Sequence, residues 1–448
     1  MPTPNKPQLI LCENARLLIT AIMAVMIIRF FCLEPYKIPS ASMEPTLIGD
    51  PACGDQLLAN KFIYHFQEPQ RWEVAVFKYP LDSKRNFIKR IIGLPGEEVT
   101  IKNGNIYIAG KIVRKPAQVQ AAVLYPLWSP EQATATRNNV WETAGGLWQW
   151  DQAGKEIVVV RAEAEAWCTY AKEINNEYVP RQDRWFFKRL RPYGAVGGGM
   201  TVGEFLLSFQ VTPRAPGTLL AKFWKGNERF SLALSAGDTA GTGLLLWEQN
   251  GVCKKSLPLN FTLQCNRQYL VEISNLDELF CVQVDAHPLA EMACETPLDE
   301  VPSTTFESKV QWGVKQGVWE FQKICLWRDI YYLGRRDLFA GASSWTVPAQ
   351  HYFVLGDNPP YSSDSRDWKV FQVTLQSGIC LEGDQQNSPS TEGDLSVFTD
   401  VYGIARAIPT EQIKTIVSNV ETPFVPRHHF VGKAFNVFWP PTRMKLIR

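Results

Sequence analysis

Four short segments carry the residues able to do chemistry. In the first, residues 39–47, Ser40 and Ser42 are separated only by Ala41, with Pro39 before them and Met43, Glu44 and Pro45 after. Alone, two serines beside a proline read as an ordinary turn. The second, residues 54–61, opens with Gly54-Asp55 and closes on Asn60-Lys61. The third, residues 87–97, embeds Lys89 in the apolar run Phe87, Ile88, Ile91 and Ile92, ahead of Gly93-Leu94-Pro95-Gly96. In a half-buried strand such a lysine normally takes an exposed position of the alternation. Buried instead, it would lose its proton more readily and become a base. The fourth, residues 356–366, brings Asp357, Ser362, Asp364 and Arg366.

A serine hydroxyl is a poor nucleophile until a base takes its proton. None of the four segments contains histidine, so a His-based triad has no candidate in them. A serine–lysine pair is a recorded alternative with the same logic. The lysine must be neutral to act, so its ordinary pKa of about 10.4 has to fall by several units. Ile88, Ile91 and Met43, with a membrane close by, are the candidate sources of that desolvation.

Taken together and in this order, the segments resemble the type I signal peptidases of bacteria, membrane-anchored serine proteases of the Ser-Lys kind. The resemblance runs from the N-terminal apolar stretch through Glu97 and resumes over residues 352–368. It reappears at Val425-Pro426 and Val431-Gly432-Lys433-Ala434, and covers roughly a third of the chain. It implies that Ser42 is the nucleophile and Lys89 the general base. Ser40 would help form the oxyanion hole, Ser362 would position the lysine amine, and Met43 would pack beside the nucleophile. Asp364 and Arg366 would form a supporting ion pair, and Asp357 would be a further structural acid. The implied substrates are exported preproteins with small side chains before the scissile bond. The resemblance implies no cofactor, no metal and no nucleic acid. The implied location is the inner (plasma) membrane, crossed once, with the catalytic domain extracytoplasmic and in contact with membrane lipid.

The elements that must position these residues begin with an anchor. Residues 17–33 are apolar apart from Arg29, near the end, a placement that also fits the family pattern. A span of this kind needs about 20 residues, with a range down to about 17. Its apolar residues cover every face, unlike an amphipathic core helix. Bulky or charged residues, Arg29 to Leu33, stand where a signal-peptide cleavage site would need small ones. Lys6 and Arg16 ahead of it favour a cytoplasmic N-terminus.

The rest of the 448 residues reads as mainly β. Hydrophobic residues make up 45% and charged residues 20%, which excludes a largely disordered chain. The net charge of +1 gives no basic field for nucleic acid. A mean hydropathy of −0.15 excludes a polytopic membrane protein. No HExxH or CxxC spacing suggests zinc, and the ten cysteines are scattered as buried thiols would be. Asn103-Gly104 between alternating runs predicts a hairpin. Residues 162–170 read as a short helix, and 194–199 as a glycine linker. From 201 to 335, apolar runs broken by turn signals predict a β-sandwich. Residues 382–400, acidic and free of Lys and Arg, read mostly as a solvated loop.

The expected layout is a signal-peptidase-type β catalytic domain with an N-terminal transmembrane helix and an inserted β-sandwich domain. A cytoplasmic tail (1–16) and the anchor (17–33) precede the first catalytic part (34–115). A Trp-rich insert (116–200) and the sandwich (201–335) follow. The second catalytic part (336–370), a second insert with the acidic loop (371–424) and a closing catalytic segment (425–448) complete the chain. The end of the sandwich, with Val310-Gln311-Trp312-Gly313-Val314, Val318-Trp319-Glu320-Phe321 and Leu326-Trp327-Arg328-Asp329, looks like a laminin-G or concanavalin-like jelly roll. That likeness implies a glycan or protein ligand. Two other readings compete. A Ser-Lys autoproteolytic repressor would bring a DNA-binding domain and no anchor. A membrane-anchored glycan-binding protein would carry a non-catalytic peptidase-like domain.

Overall fold

The computed structural model describes residues 13–23, 33–130, 140–150, 157–176, 201–237, 241–295, 307–332 and 343–448. Two compact units emerge. One comprises Met1–Glu98, Trp345–Asn358 and Ser362–Arg448; the other comprises Val99–Ser344 with Pro359–Tyr361.

The first unit is built on an eight-stranded antiparallel sheet. Its strand order is Leu33–Lys37, Gln56–Asn60, Phe430–Trp439, Val74–Tyr79, Asp82–Gly93, His351–Leu355 and Val425–Pro426, with Lys445–Leu446 paired onto Phe430–Trp439. Segments far apart in the sequence are therefore adjacent. The central strand Val74–Tyr79 is buried almost throughout, because each face packs on its own core. Ala75 and Phe77 join Ile91, Val354, Trp368 and Phe430. Val74 and Val76, pointing the other way as the period of two requires, join Met43, Leu47, Leu57 and Val437.

Two three-stranded sheets complete this unit. Residues 382–400, expected as a solvated loop, contribute to both through Cys380–Asp384, Ser390–Glu392 and Leu395–Thr399. Phe398 packs edge-on against Phe371, with ring centroids 5.3 Å apart. Asp400 is buried because the Tyr402 and Ile404 amides and the Arg406 guanidinium all donate to it. An acidic composition conceals such local satisfaction.

At the N-terminus, residues 13–23 are helical and exposed. No helix among the described residues is long and apolar enough to cross a membrane. Residues 24–32 of the expected anchor, Arg29 included, lie outside the described residues, as does the expected linker at 194–199.

In the second unit, the hairpin at Asn103-Gly104 forms as expected, both residues at positive φ (52° and 85°). The rest centres on a thirteen-stranded sheet packed around one core that contains Phe205, Phe209, Phe223, Phe280, Trp312 and Phe321. The strand Ser308–Arg328 runs through its middle. Along one edge it pairs with Gly217–Lys225 and then Phe205–Pro213; along the other, with Ile157–Tyr170 and then Tyr125–Trp128. Residues 162–170, read as a helix, are part of the strand Ile157–Tyr170. Ala162, Ala166 and Cys168 face the core, while Arg161, Glu163 and Glu165 face solvent. A register irregularity between Ala162 and Glu165 breaks the alternation and mimics helical spacing. The β-sandwich thus extends beyond 201–335, because its strands start at Tyr125.

Candidate active site

Ser42 lies in the one-turn 3-10 helix Ala41–Met43, which begins three residues after the buried Ile38. The Glu44 amide closes the turn on the Ala41 carbonyl (3.1 Å), and the Glu44 carboxylate accepts from the Gly49 amide (3.0 Å). Asn358 pins the turn from outside. Its side-chain amide donates to the Ala41 carbonyl (3.0 Å) and its backbone amide to the Ser42 carbonyl (3.1 Å). Ser42 and Met43 are buried, whereas Ser40 is exposed. The Ser40 hydroxyl donates to the Ser42 hydroxyl at 3.4 Å. Met43 packs in the same apolar cluster that Ile88 adjoins.

Lys89 sits opposite Ala75 in the strand Asp82–Gly93 and is 3% exposed, so the buried reading of its strand position holds. Burial lowers its pKa from 10.5 to about 8, outweighing the pull of the Asp364 carboxylate, and Arg366 adds to the fall. Within the described residues no hydrogen bond joins the amine to Ser42 or Ser362. Such contacts commonly tighten only when substrate binds.

The strand His351–Leu355 pairs with the same strand, placing Leu355 opposite Arg90, one residue past Lys89. It delivers Gly356, Asp357 and Asn358 straight into the site. A Cβ on Gly356 would lie 2.5 Å from the Ser42 carbonyl oxygen and 2.2 Å from Ser362 Oγ, so only glycine fits between the two serines. Ser362 is fully buried, and among the described residues its hydroxyl has no hydrogen-bond partner. Asp364 and Arg366 form the expected ion pair, Nε to Oδ1 at 2.7 Å and Nη2 to Oδ2 at 2.8 Å. Burial by itself raises the Asp364 pKa, but the Arg366 guanidinium more than offsets this and holds it below the ordinary carboxylate range. The Gly356 amide also donates to Asp364 (3.0 Å), tying the ion pair to the strand end.

Asp357 faces a different partner. Arg90 grips it with two bonds, Nε to Oδ1 at 2.8 Å and Nη2 to Oδ2 at 2.6 Å, both side chains being fully buried. The Thr46 hydroxyl donates to the same carboxylate (2.5 Å), and Arg90 also reaches the Trp72 carbonyl (2.7 Å). Sequence reasoning does not single out Arg90, Thr46, Gly356 or Asn358. Their only signal is adjacency to residues that it does.

Elsewhere, Glu204, Asp277 and Asp329 have ligand atoms within 4.8 Å of one another, the one such group among the described residues. Two ammonium groups already pair with these three carboxylates. Lys115 pairs with Asp277 and with Asp329 (2.9 Å), and Lys225 pairs with Glu204 (2.6 Å).

A buried, readily neutralised lysine in the same unit as a serine-bearing turn suits acyl transfer. The family model described as "Signal peptidase, peptidase S26" matches residues 11–143 and 329–378. The probable signal peptidase I-2 of Synechocystis is 41% identical over 107 residues, which cover 22% of this chain and 47% of the relative. The chain spans about half the length of such curated relatives. It covers 80% of the signal peptidase I of Leptolyngbya laminosa at 30% identity, using 35% of its own length. Among solved structures, the carbohydrate-binding module CBM66 of Bacillus subtilis aligns over 41% of this chain and 93% of its own. The TM-score is 0.26 and the identity 12%, too low to carry a conclusion about fold or ligand. The two stretches matched by the family model flank the strands from residue 157 to Arg328, and together these findings show that the chain belongs to the peptidase S26 signal peptidase family.

Proposed function

We propose that this protein is an active signal peptidase I, a serine endopeptidase that removes signal peptides from exported preproteins. The observation that carries this reading is the buried Lys89, whose pKa near 8 leaves a neutral amine accessible close to physiological pH. In the reaction, the Ser42 hydroxyl attacks the scissile carbonyl carbon while its proton passes to Lys89 Nζ. The oxyanion is held by the Ser42 amide and the Ser40 hydroxyl. On collapse, the C–N bond breaks and Lys89 returns the proton to the departing amine of the mature protein. Lys89 then takes a proton from water, which attacks the acyl-serine; the ester C–O bond breaks, Lys89 returns the proton to Ser42 Oγ and the signal peptide is released. Ser362, buried without a partner among the described residues, supplies a hydroxyl to orient the amine. The Asp364–Arg366 pair sets the field around it.

The apolar stretch 17–33 supports a single-pass anchor in the inner membrane, with residues 34–448 outside the cytoplasm. The β-sandwich would serve substrate reach or bind a glycan or protein ligand. Purified full-length protein should cleave a preprotein carrying small residues before the scissile bond. Ser42→Ala and Lys89→Ala should each abolish cleavage, and the double variant should be no worse than either single one. Undiminished cleavage by Ser42→Ala would end this reading.

A further inference from the structure

Beyond the dyad, the strand that carries Lys89 also presents an unused cation. Arg85, Phe87 and Lys89 alternate onto one face of Asp82–Gly93. The Arg85 guanidinium lies 5.4 Å from the Phe87 ring centroid, and Lys89 Nζ lies 5.8 Å from the same ring. The Tyr79 ring stacks on Phe87 (4.1 Å, 8° between planes), and Arg85 covers it as well, at 5.6 Å. Two rings therefore hold the guanidinium in place by cation–π attraction. Among the described residues Arg85 has neither a hydrogen bond nor an ion pair, and it is exposed. Its charge is positioned and unspent.

The backbone alongside is also unspent. Pairing with His351–Leu355 covers this strand only from Arg90 to Gly93. From Asn86 to Lys89 it pairs, among the described residues, on one side only, with Val74–Tyr79, and Arg85 directly precedes this stretch. A free edge of this kind accepts an extended peptide as an added strand. Such a peptide, with its scissile bond at Lys89, advances about 3.3 Å per residue. Arg85, four positions along, then lies beside the substrate side chain about four residues, or about 13 Å, from the scissile bond.

We infer that Arg85 is a specificity residue that favours preproteins carrying a carboxylate about four residues from the cleavage site. This inference rests on the peptidase reading above. The test uses full-length protein and one preprotein in which a Glu is walked, one position at a time, from the sixth residue before the scissile bond to the sixth after it. Each substrate is compared with its Gln counterpart by kcat/KM. The expected result is a Glu-over-Gln preference of about two- to five-fold, the scale of a partly exposed ion pair. It should peak about four residues from the bond on one side and fade at high salt. In Arg85→Gln the ratio should fall to about one, in Arg85→Glu it should invert, and in Arg85→Lys it should persist in part. These ratios compare substrates on one enzyme, so a variant that folds poorly still reports. Equal Glu and Gln rates at every position, or a preference that survives Arg85→Gln, overturns the inference while leaving the peptidase reading intact. No cleavage of any substrate by the unaltered protein overturns both.

Discussion

Replacing Lys89 by methionine keeps the length and apolar stem of the side chain and removes its proton. Below pH 8, Lys89 is protonated in both the folded and the unfolded chain, and the folded state bears the whole cost of burying the ammonium. At about 1.4 kcal/mol per pH unit, the fall from 10.5 to about 8 corresponds to about 3 kcal/mol. Between pH 8 and 10.5 the unfolded chain holds a proton that the folded protein has released, so the stability of the unaltered protein rises with pH. Above 10.5 both states are neutral and the cost is gone. Lys89→Met should therefore be more stable by about 3 kcal/mol at neutral pH, with the gap closing as pH rises. Urea unfolding of both proteins in detergent across this range measures it. The same ionisation should make kcat/KM of the unaltered enzyme climb as pH rises through about 8. A stability gap that ignores pH, or a Met variant that is the weaker protein at neutral pH, would refute the buried-amine account.

Asp357→Asn should cost about 3–5 kcal/mol in urea unfolding, because it leaves the buried Arg90 guanidinium without its counter-charge; unchanged stability would mean the pair is not a structural tie. Gly356→Ala should lose most processing activity, since its methyl group would push Ser42 and Ser362 apart, and a preprotein assay with near-normal rates would contradict that packing. A fragment of residues 201–335 should lack a cooperative unfolding transition, because Ser308–Arg328 would lose Ile157–Tyr170 as its partner. A fragment of residues 99–344 should show one by circular dichroism.

Much of the candidate site is legible in the amino-acid order alone. Ser40, Ser42, Lys89, Ser362, Asp364 and Arg366 stand in short ordered segments whose resemblance to type I signal peptidases implies a Ser-Lys site. Alternating apolar runs and turn residues similarly announce β structure, down to the Asn103-Gly104 hairpin. Local chemistry and local periodicity are properties of a few consecutive residues, so sequence displays them. What surrounds a strand is not such a property. Whether Lys89 is exposed or buried depends on which strands and loops cover its face, and residues 352–368 contribute to that cover. The same limit explains why sequence places Asp357 without its partner Arg90, 267 positions away. It also explains why the expected sandwich is too short. The strands Tyr125–Trp128 and Ile157–Tyr170 carry weak or interrupted patterns of their own and are held by Ser308–Arg328. Tertiary pairing decides these points because burial and charge compensation arise between distant segments, where a one-dimensional pattern has no reach.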